Sequence, residues 1–241
     1  MKITQLIRLS LILLFVILLS GCLGPQSFSS QHQPANEEQL LQIQSAVDKF
    51  QETTNGLLPI KTKDNDTPVF EKYLLDFDRL KEENIIADLP SNAYEKGGIY
   101  QYIIINPEDN PEVKVIDLRM TDELQNVFTK IDIYRSKHIY PPYGNKIEDK
   151  VFEIDYEKIG YKEAPSVISP YSGENLPILM DIEGQIFVDY RIDLYRELEA
   201  QDHDYEFTDD LRYLLTDHYP FAPAFSMPYT LDGDEPIIIT E

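Results

Sequence analysis

Apolar side chains recur at helical spacing in two long segments of the chain. The first begins at Asn36, a residue favoured as N-cap, and ends at the stop signal Asn55-Gly56. The second begins at Thr121, which we also interpret as an N-cap, and ends at His138. The apolar stripes are Leu40, Ile43, Val47 and Phe50 in the first segment, and Leu124, Val127, Phe128, Ile131 and Tyr134 in the second. This spacing predicts two amphipathic helices, over 36–55 and 121–138.

Strand patterns fill much of the remaining chain. A β-rich run over 99–105 and an alternating run over 113–119 flank a turn cluster, which predicts a hairpin. A second hairpin is predicted over 178–190, on either side of Glu183-Gly184. Shorter elements are strands over 151–156, 165–169 and 236–240, and helices over 76–85, 194–198 and 208–215, the last capped by Thr208. The pattern indicates an α+β fold with helices packed on antiparallel sheets.

The Pro-rich stretch near 140–148 suggests a soft boundary between two regions. We expect an N-terminal α+β region over 37–145 and a C-terminal α+β region over 146–241, or one domain that includes both. A single cysteine in 241 residues excludes a disulfide framework. Stability must therefore come from a core, to which 16 Tyr and 11 Phe contribute.

The first 22 residues are typical of an export signal. Lys2 and Arg8 precede an apolar run over 9–19, which is too short to span ~30 Å of hydrocarbon at ~1.5 Å per residue. The tetrad Leu19-Ser20-Gly21-Cys22 follows, and it resembles the lipobox of bacterial lipoproteins. The resemblance implies a signal peptide over 1–21 and a diacylglyceryl group on the Cys22 thiol. The alternative is an ordinary signal peptide or anchor in which Cys22 is incidental.

Residues 22–36 are interpreted as the lipidated cysteine and a flexible tether, which would hold the folded part roughly 20 Å from the bilayer. Without Lys2 and Arg8, the formal net charge of −22 becomes −24. Such a surface repels phosphate backbones and anionic headgroups. We therefore expect no nucleic-acid partner, and attachment to the outer face of the cytoplasmic membrane through covalent lipid.

The first half of the chain carries three short motifs of a known type. They are Asn55-Gly56-Leu57-Leu58-Pro59, Leu89-Pro90 and Tyr100-Gln101-Tyr102. They resemble the globular part of type II secretion pseudopilins. The prepilin leader of that family has no match here, so the resemblance implies a helix packed on an antiparallel sheet and not assembly into a fibre.

Three further stretches are distinctive. They are residues 89–98, residues 167–173 with Leu176-Pro177 just after them, and residues 188–194. They resemble the uncharacterised YphF-like lipoproteins of Bacillus-type spore formers. The resemblance implies a cell-surface lipoprotein of a Gram-positive membrane, and it supplies no established catalytic residue.

The sequence gives little support for a metal site. Among the four histidines, His203 and His218 share an Asp-rich region, but their spacing matches no known ligand rule. The oxygen-rich turns 64–66 and 232–235 lack the ligand spacing of an EF-hand. We therefore expect no tightly bound metal and no cofactor.

Catalytic motifs are also missing from the sequence, which holds no nucleophile elbow, Ser-x-x-Lys motif or P-loop. A catalytic carboxylate pair among the 43 acidic residues remains an alternative, because such a pair is defined by the distance between its two groups and not by sequence spacing. Pro-Tyr pairs recur at Tyr143, Tyr171 and Tyr229. Their rings suit contact with a partner or, alternatively, close an edge of the core.

These observations predict a non-enzymatic, membrane-anchored extracytoplasmic lipoprotein that binds an envelope protein or a wall component. Two alternatives stay open. A solute-binding lipoprotein of an ABC transporter would need two α/β lobes. A cell-wall-modifying enzyme would need a groove with paired carboxylates.

Overall fold

The computed structural model of the protein describes residues 37–200 and 203–240, which belong to one compact unit. The predicted signal peptide, Cys22, the tether and Asn36 lie outside the described residues. The helices are α1 (Glu37–Thr53), α2 (Val69–Lys72), α3 (Phe77–Glu82), α4 (Thr121–His138), α5 (Arg191–Ala200) and α6 (Arg212–His218). The strands are β1 (Ile60–Thr62), β2 (Tyr73–Leu75), β3 (Tyr100–Ile105), β4 (Glu112–Asp117), β5 (Tyr143–Glu148), β6 (Val151–Ile154), β7 (Ser166–Ile168), β8 (Asn175–Asp181), β9 (Ile186–Val188), β10 (Tyr229–Asp232) and β11 (Glu235–Ile238).

The predicted α+β class, with helices packed on antiparallel sheets, is confirmed. Both long helices and both predicted hairpins are present. The predicted strand over 236–240 is β11, which pairs with β10, a strand that the sequence pattern did not indicate. Within the described ranges, no helix combines the length and the hydrophobicity that a bilayer crossing requires.

Two successive segments build the same arrangement of one long helix and four antiparallel strands. In the first, α1 is followed by β1, β2, β3 and β4, which form a sheet in that order. In the second, α4 is followed by β5, β6, β8 and β9, which pair in that order, while β7 is added alongside β8. We call residues 37–117 the first repeat and residues 121–188 the second repeat.

The helix of each repeat buries one face against its own sheet. In α1, Ile43, Val47 and Phe50 are buried, as predicted, with strand residues of the first sheet. In α4, three of the five predicted stripe residues are buried with the second sheet, namely Leu124, Val127 and Ile131. Phe128 is 40% exposed, so its assignment to the core was wrong. It follows Val127 by ~100° around the helix, which places it at the edge of the buried face.

Each repeat ends in an Asp-x-Arg turn that starts the next helix. The Asp117 carboxylate accepts hydrogen bonds from the backbone N–H and Nε of Arg119, at 3.0 and 2.9 Å. The Asp189 carboxylate accepts the same two bonds from Arg191, at 3.1 and 2.9 Å. The carboxylate thereby satisfies a free N–H at the helix start and forms a bidentate ion pair with the guanidinium.

The same turn begins α6, where the Asp210 carboxylate accepts from the backbone N–H and Nε of Arg212, at 3.1 and 3.0 Å. Two predicted N-caps were therefore wrong. Thr208 lies before this turn, and Thr121 is the first residue of α4, its hydroxyl donating to the Leu118 carbonyl. Asp117 instead caps the 3-10 turn Leu118–Met120 that leads into α4, and Asp210 accepts from the first N–H of α6.

A segment near the C-terminus, residues 220–225, joins the two repeats, and we call it the strap. Val115 on β4 donates to the Pro220 carbonyl and accepts from the Ala222 N–H, both at 2.9 Å. Val188 on β9 donates to the Phe225 carbonyl at 2.7 Å. The Phe221 side chain enters the core of the first repeat. The strap therefore covers the last strand of both repeats and makes one unit of them.

Candidate functional site

A groove of about 610 Å³ lies between α1 and residues 85–91 in the first repeat. Its apolar lining comes from Ile43, Ala46, Ile85, Ile86, Ala87, Leu89 and Pro90. Its polar lining comes from Gln39, Gln42, Ser45, Lys49, Asp88, Ser91 and Lys96. Half of the lining residues are polar, so the groove offers many hydrogen-bonding groups beside its apolar surface.

A tightly folded loop forms the wall opposite α1. The Tyr102 hydroxyl on β3 donates to the Asn92 Oδ1 at 2.8 Å, and the Tyr100 N–H donates to the Asn92 carbonyl at 3.1 Å. A Cβ on Gly98 would lie 2.1 Å from the carbonyl carbon of Asn92, so only glycine fits there. The stretch 89–98, which the sequence analysis singled out, is therefore fixed to the sheet on one side and lines the groove on the other.

The polar groups of the groove are mostly neutral. Gln39 donates through Nε2 to the Ser91 hydroxyl at 3.0 Å, while its Oε1 is buried without a hydrogen-bond partner. Lys96 pairs with Asp88, and this hydrogen bond lowers the pKa of the Asp88 carboxyl below its ordinary value. Because both side chains are exposed, the pair adds little to stability. Asp88 is the one carboxylate in the described lining, so the groove shows no carboxylate pair for hydrolysis.

The other two distinctive stretches meet at a buried polar cluster in the C-terminal half. Asp193 on α5 is 2% exposed and accepts hydrogen bonds from the hydroxyls of Ser169 and Ser172, the first at 2.8 Å. The Ser169 hydroxyl in turn accepts from the Tyr171 N–H at 3.0 Å. Burial raises the pKa of Asp193. Since these groups satisfy one another, the cluster fixes the loop 169–173 against α5.

The three Pro-Tyr rings do not share one surface. Tyr229 is fully buried; its hydroxyl accepts from the Tyr190 N–H at 3.0 Å and donates to the Val188 carbonyl at 3.2 Å. A buried ring cannot contact a partner, so the assignment of Tyr229 to partner binding was wrong. The ring supports the Asp-x-Arg turn that starts α5.

Tyr171 and Tyr143 keep part of their surface. The Tyr171 ring packs edge-on against those of Tyr190 and Tyr219, with centroids 5.8 and 5.3 Å away, and burial raises its pKa well above the ordinary value. Tyr143 packs against Phe152, and its hydroxyl donates to the Ile182 carbonyl. Both rings are thus held by neighbours within the fold.

The histidines do not converge on a metal site in the described part of the chain. His138 lies at the end of α4 and stacks on Tyr134, with centroids 4.2 Å apart. His203 and His218 are exposed, and His32 lies outside the described residues. In residues 37–200 and 203–240, no three His, Cys, Asp or Glu side chains are grouped so as to hold a metal ion.

The polar lining residues of α1 were missed in the sequence analysis. Gln42, Ser45 and Lys49 lie on the side of the helix away from the core stripe, where solvated side chains are expected, and Gln39 lies at the edge of the stripe. One signal was present in the sequence. Gln39, Gln42 and Ser45 are uncharged polar residues, although 27% of the residues of the chain are charged. The tight loop opposite α1 depends on the contacts of Asn92 with β3, which the spacing of residues does not reveal.

The fold is that of an α+β protein of two repeats, with a groove of mainly neutral polar groups in the first. Residues 36–117, which span this repeat, match the model of the YphF family N-terminal domain. The match supports a YphF-like family for the chain. No curated protein and no solved structure matches it.

Proposed function

We propose that the protein is an extracytoplasmic, lipid-anchored lipoprotein that acts by binding at the cell envelope through the groove of its first repeat. The observation that carries the proposal is the groove itself, whose amide, hydroxyl and ammonium groups surround an apolar surface in the segment matched by the family model. The tetrad Leu19-Ser20-Gly21-Cys22 supports the anchor.

The groove chemistry favours an uncharged envelope ligand with many hydrogen-bonding groups. Gln39, Gln42, Ser45 and Ser91 offer both donors and acceptors. The net charge of −22 disfavours anionic partners at long range. A wall component or an extended segment of an envelope protein has this chemistry.

Binding is favoured over the two alternatives by the architecture. The strands of both repeats pair antiparallel, whereas α/β lobes of a solute receptor would need parallel strands joined by helices. The carboxylate in the groove, Asp88, is paired with Lys96.

The anchor is tested with Cys22→Ser in the full chain. We expect the wild type to incorporate labelled palmitate and to sediment with membranes, and the variant to lose the label. Equal labelling of the two chains, or none on the wild type, would remove the anchor from the proposal.

The groove is tested with a photo-crosslinking amino acid at Gln42, in cells that display the full chain. The matched control is Glu52, which is exposed on the same helix and outside the groove. We expect an envelope adduct from position 42 and none from position 52. Adducts of equal yield from both positions would contradict a role for the groove.

A further inference from the structure

The end of α4 carries an isoleucine in a strained and exposed position. Ile139 has φ 71° and ψ −32°, a backbone conformation that β-branched residues rarely adopt. Glycine is usual where a helix ends with positive φ. The Ile139 residue is nevertheless 93% exposed, so packing within the fold does not compensate for the strain. Such an outlier points to a role outside the fold.

The backbone around Ile139 is fixed by hydrogen bonds. The Ile139 N–H donates to the Arg135 carbonyl at 2.8 Å. Pro141 and Pro142 are buried, and the Pro142 carbonyl accepts from the Asp155 N–H at 2.8 Å. The backbone on both sides of Ile139 is thus fixed, and its side chain projects into solvent.

Further exposed apolar residues lie close to Ile139 in the chain, together with cations. Tyr140 is 56% exposed and Ile133 is 51% exposed. The last turn of α4 carries Arg135, Lys137 and His138, in a chain whose net charge is −22. We call residues 133–140 the α4 tip.

We propose that the α4 tip contacts the surface of the lipid bilayer that holds the protein's own anchor. An exposed aliphatic residue, an amphipathic ring and neighbouring cations are the combination that inserts at the boundary between acyl chains and headgroups. The cations complement anionic lipids, which the rest of the molecule repels. The inference rests on the proposed function, because a lipid anchor would hold the bilayer near the folded part and raise its effective concentration.

The test uses the full lipidated chain in vesicles of neutral and anionic lipid. Ile139→Cys is labelled with an environment-sensitive fluorophore, and Glu52→Cys on α1 is the matched control. Lipids with brominated acyl chains quench a fluorophore that reaches the hydrocarbon. We expect at least twofold stronger quenching at position 139 than at position 52, and a larger difference in vesicles that contain anionic lipid.

Equal quenching at the two positions would overturn the proposal. A spectral shift at position 139 in native membranes, without quenching in pure lipid vesicles, would also overturn it and would assign the tip to a protein partner. Two labels per chain would report an unmodified Cys22, which removes the proposed anchor and this inference with it. One label per chain with equal quenching at positions 139 and 52 would overturn the contact of the α4 tip and leave the anchor in place.

Discussion

The two repeats share their topology but differ beside the helix. In the second repeat, the segment after β6 packs onto α4: the Lys130 ammonium donates to the Ile159 carbonyl at 3.4 Å and lies 4.7 Å from the centre of the Tyr161 ring. In the first repeat, residues 85–91 reach α1 through the hydrogen bond from Gln39 to Ser91 but leave the groove open beside the helix. The helix and the strands are therefore common to both repeats. The segment between the second and third paired strands, β2 to β3 in the first repeat and β6 to β8 in the second, decides whether the helix is covered or accessible.

The first prediction concerns the buried faces of the two helices. Phe50 is 2% exposed on α1, whereas Phe128 is 40% exposed on α4. We expect Phe50→Ala to lower the free energy of unfolding by about 3–5 kcal/mol, because it removes a buried ring. Phe128→Ala is the matched variant, with an expected loss of less than about 1 kcal/mol. Urea denaturation measures both, and equal losses would show that the two helices pack alike.

The second prediction concerns the Asp-x-Arg turns. Asp189→Asn weakens the bidentate pair with Arg191 and leaves a partly buried guanidinium with less compensation. We expect a loss of about 1–3 kcal/mol in the free energy of unfolding, with a smaller loss for Asp117→Asn, because Arg119 is more exposed than Arg191. As a control, Asp149→Asn breaks an exposed pair with Lys146 and is expected to cost well under 1 kcal/mol. A larger loss at Asp149 than at Asp189 would contradict the structural role of the turn.

The third prediction compares the ends of α1 and α4. The chain leaves α1 through Asn55 and Gly56, with φ of 58° and 88°, which these residues tolerate, but it leaves α4 through the strained Ile139. We expect Ile139→Gly to raise the free energy of unfolding by up to about 1 kcal/mol, since relief of strain outweighs the added freedom of the unfolded chain. Thermal unfolding measures the change. A decrease would mean that the isoleucine stabilises the fold through its side chain.

The fourth prediction concerns the loops beside each sheet. The first repeat fixes its loop through the neutral pair Tyr102 and Asn92, and the C-terminal half fixes residues 169–173 through Asp193. Because burial raises the folded-state pKa of Asp193, the folded chain binds this proton more readily than the unfolded chain. The stability contributed by this proton is fully present below the unfolded pKa and is lost as pH rises through the raised folded pKa.

The corresponding measurement is the unfolding of Asp193→Asn and wild type between pH 4 and 7. We expect Asp193→Asn to gain stability relative to the wild type as the pH rises across this range. Asn92→Asp is the reciprocal change in the first repeat, since it replaces a neutral amide with a carboxyl group. A difference between wild type and Asp193→Asn that does not vary with pH would show that Asp193 titrates normally.

The smallest expected effect on stability comes from closing the groove. Ser45→Tyr places a ring beside α1 in the first repeat, in imitation of the segment that covers α4 in the second. Because Ser45 is exposed, we expect the free energy of unfolding to change by no more than about 0.5 kcal/mol. The crosslink from Gln42 is nevertheless expected to disappear. Persistence of that adduct would show that the ligand lies elsewhere on the first repeat.

Local patterns predicted the helices and hairpins well, because each is determined by residues close together in sequence. The stripe of Ile43, Val47 and Phe50 and the Glu183-Gly184 turn are examples. The repeated arrangement was not predicted, since β1 and β2 span only three residues each and are recognisable only through the pairing of β1 with β2 and of β2 with β3.

The candidate site was predictable only in part. The stretch 89–98 attracted attention as a motif, but its position opposite α1 depends on the contact of Asn92 with β3. Tyr229 looked like a surface ring because Pro-Tyr is typical of loops. Its burial results from contacts with Tyr190 and Val188, about 40 residues earlier in the chain.

The strap also makes folding non-local. The Lys114 ammonium on β4 donates to the Tyr219 carbonyl, 105 residues further along, just before the strap reaches β4. Contacts between such distant residues slow folding, because a long loop must close before they form. During synthesis from the N-terminus, the edge of β4 therefore stays unpaired until the strap has been made, and the two repeats are joined in one late step.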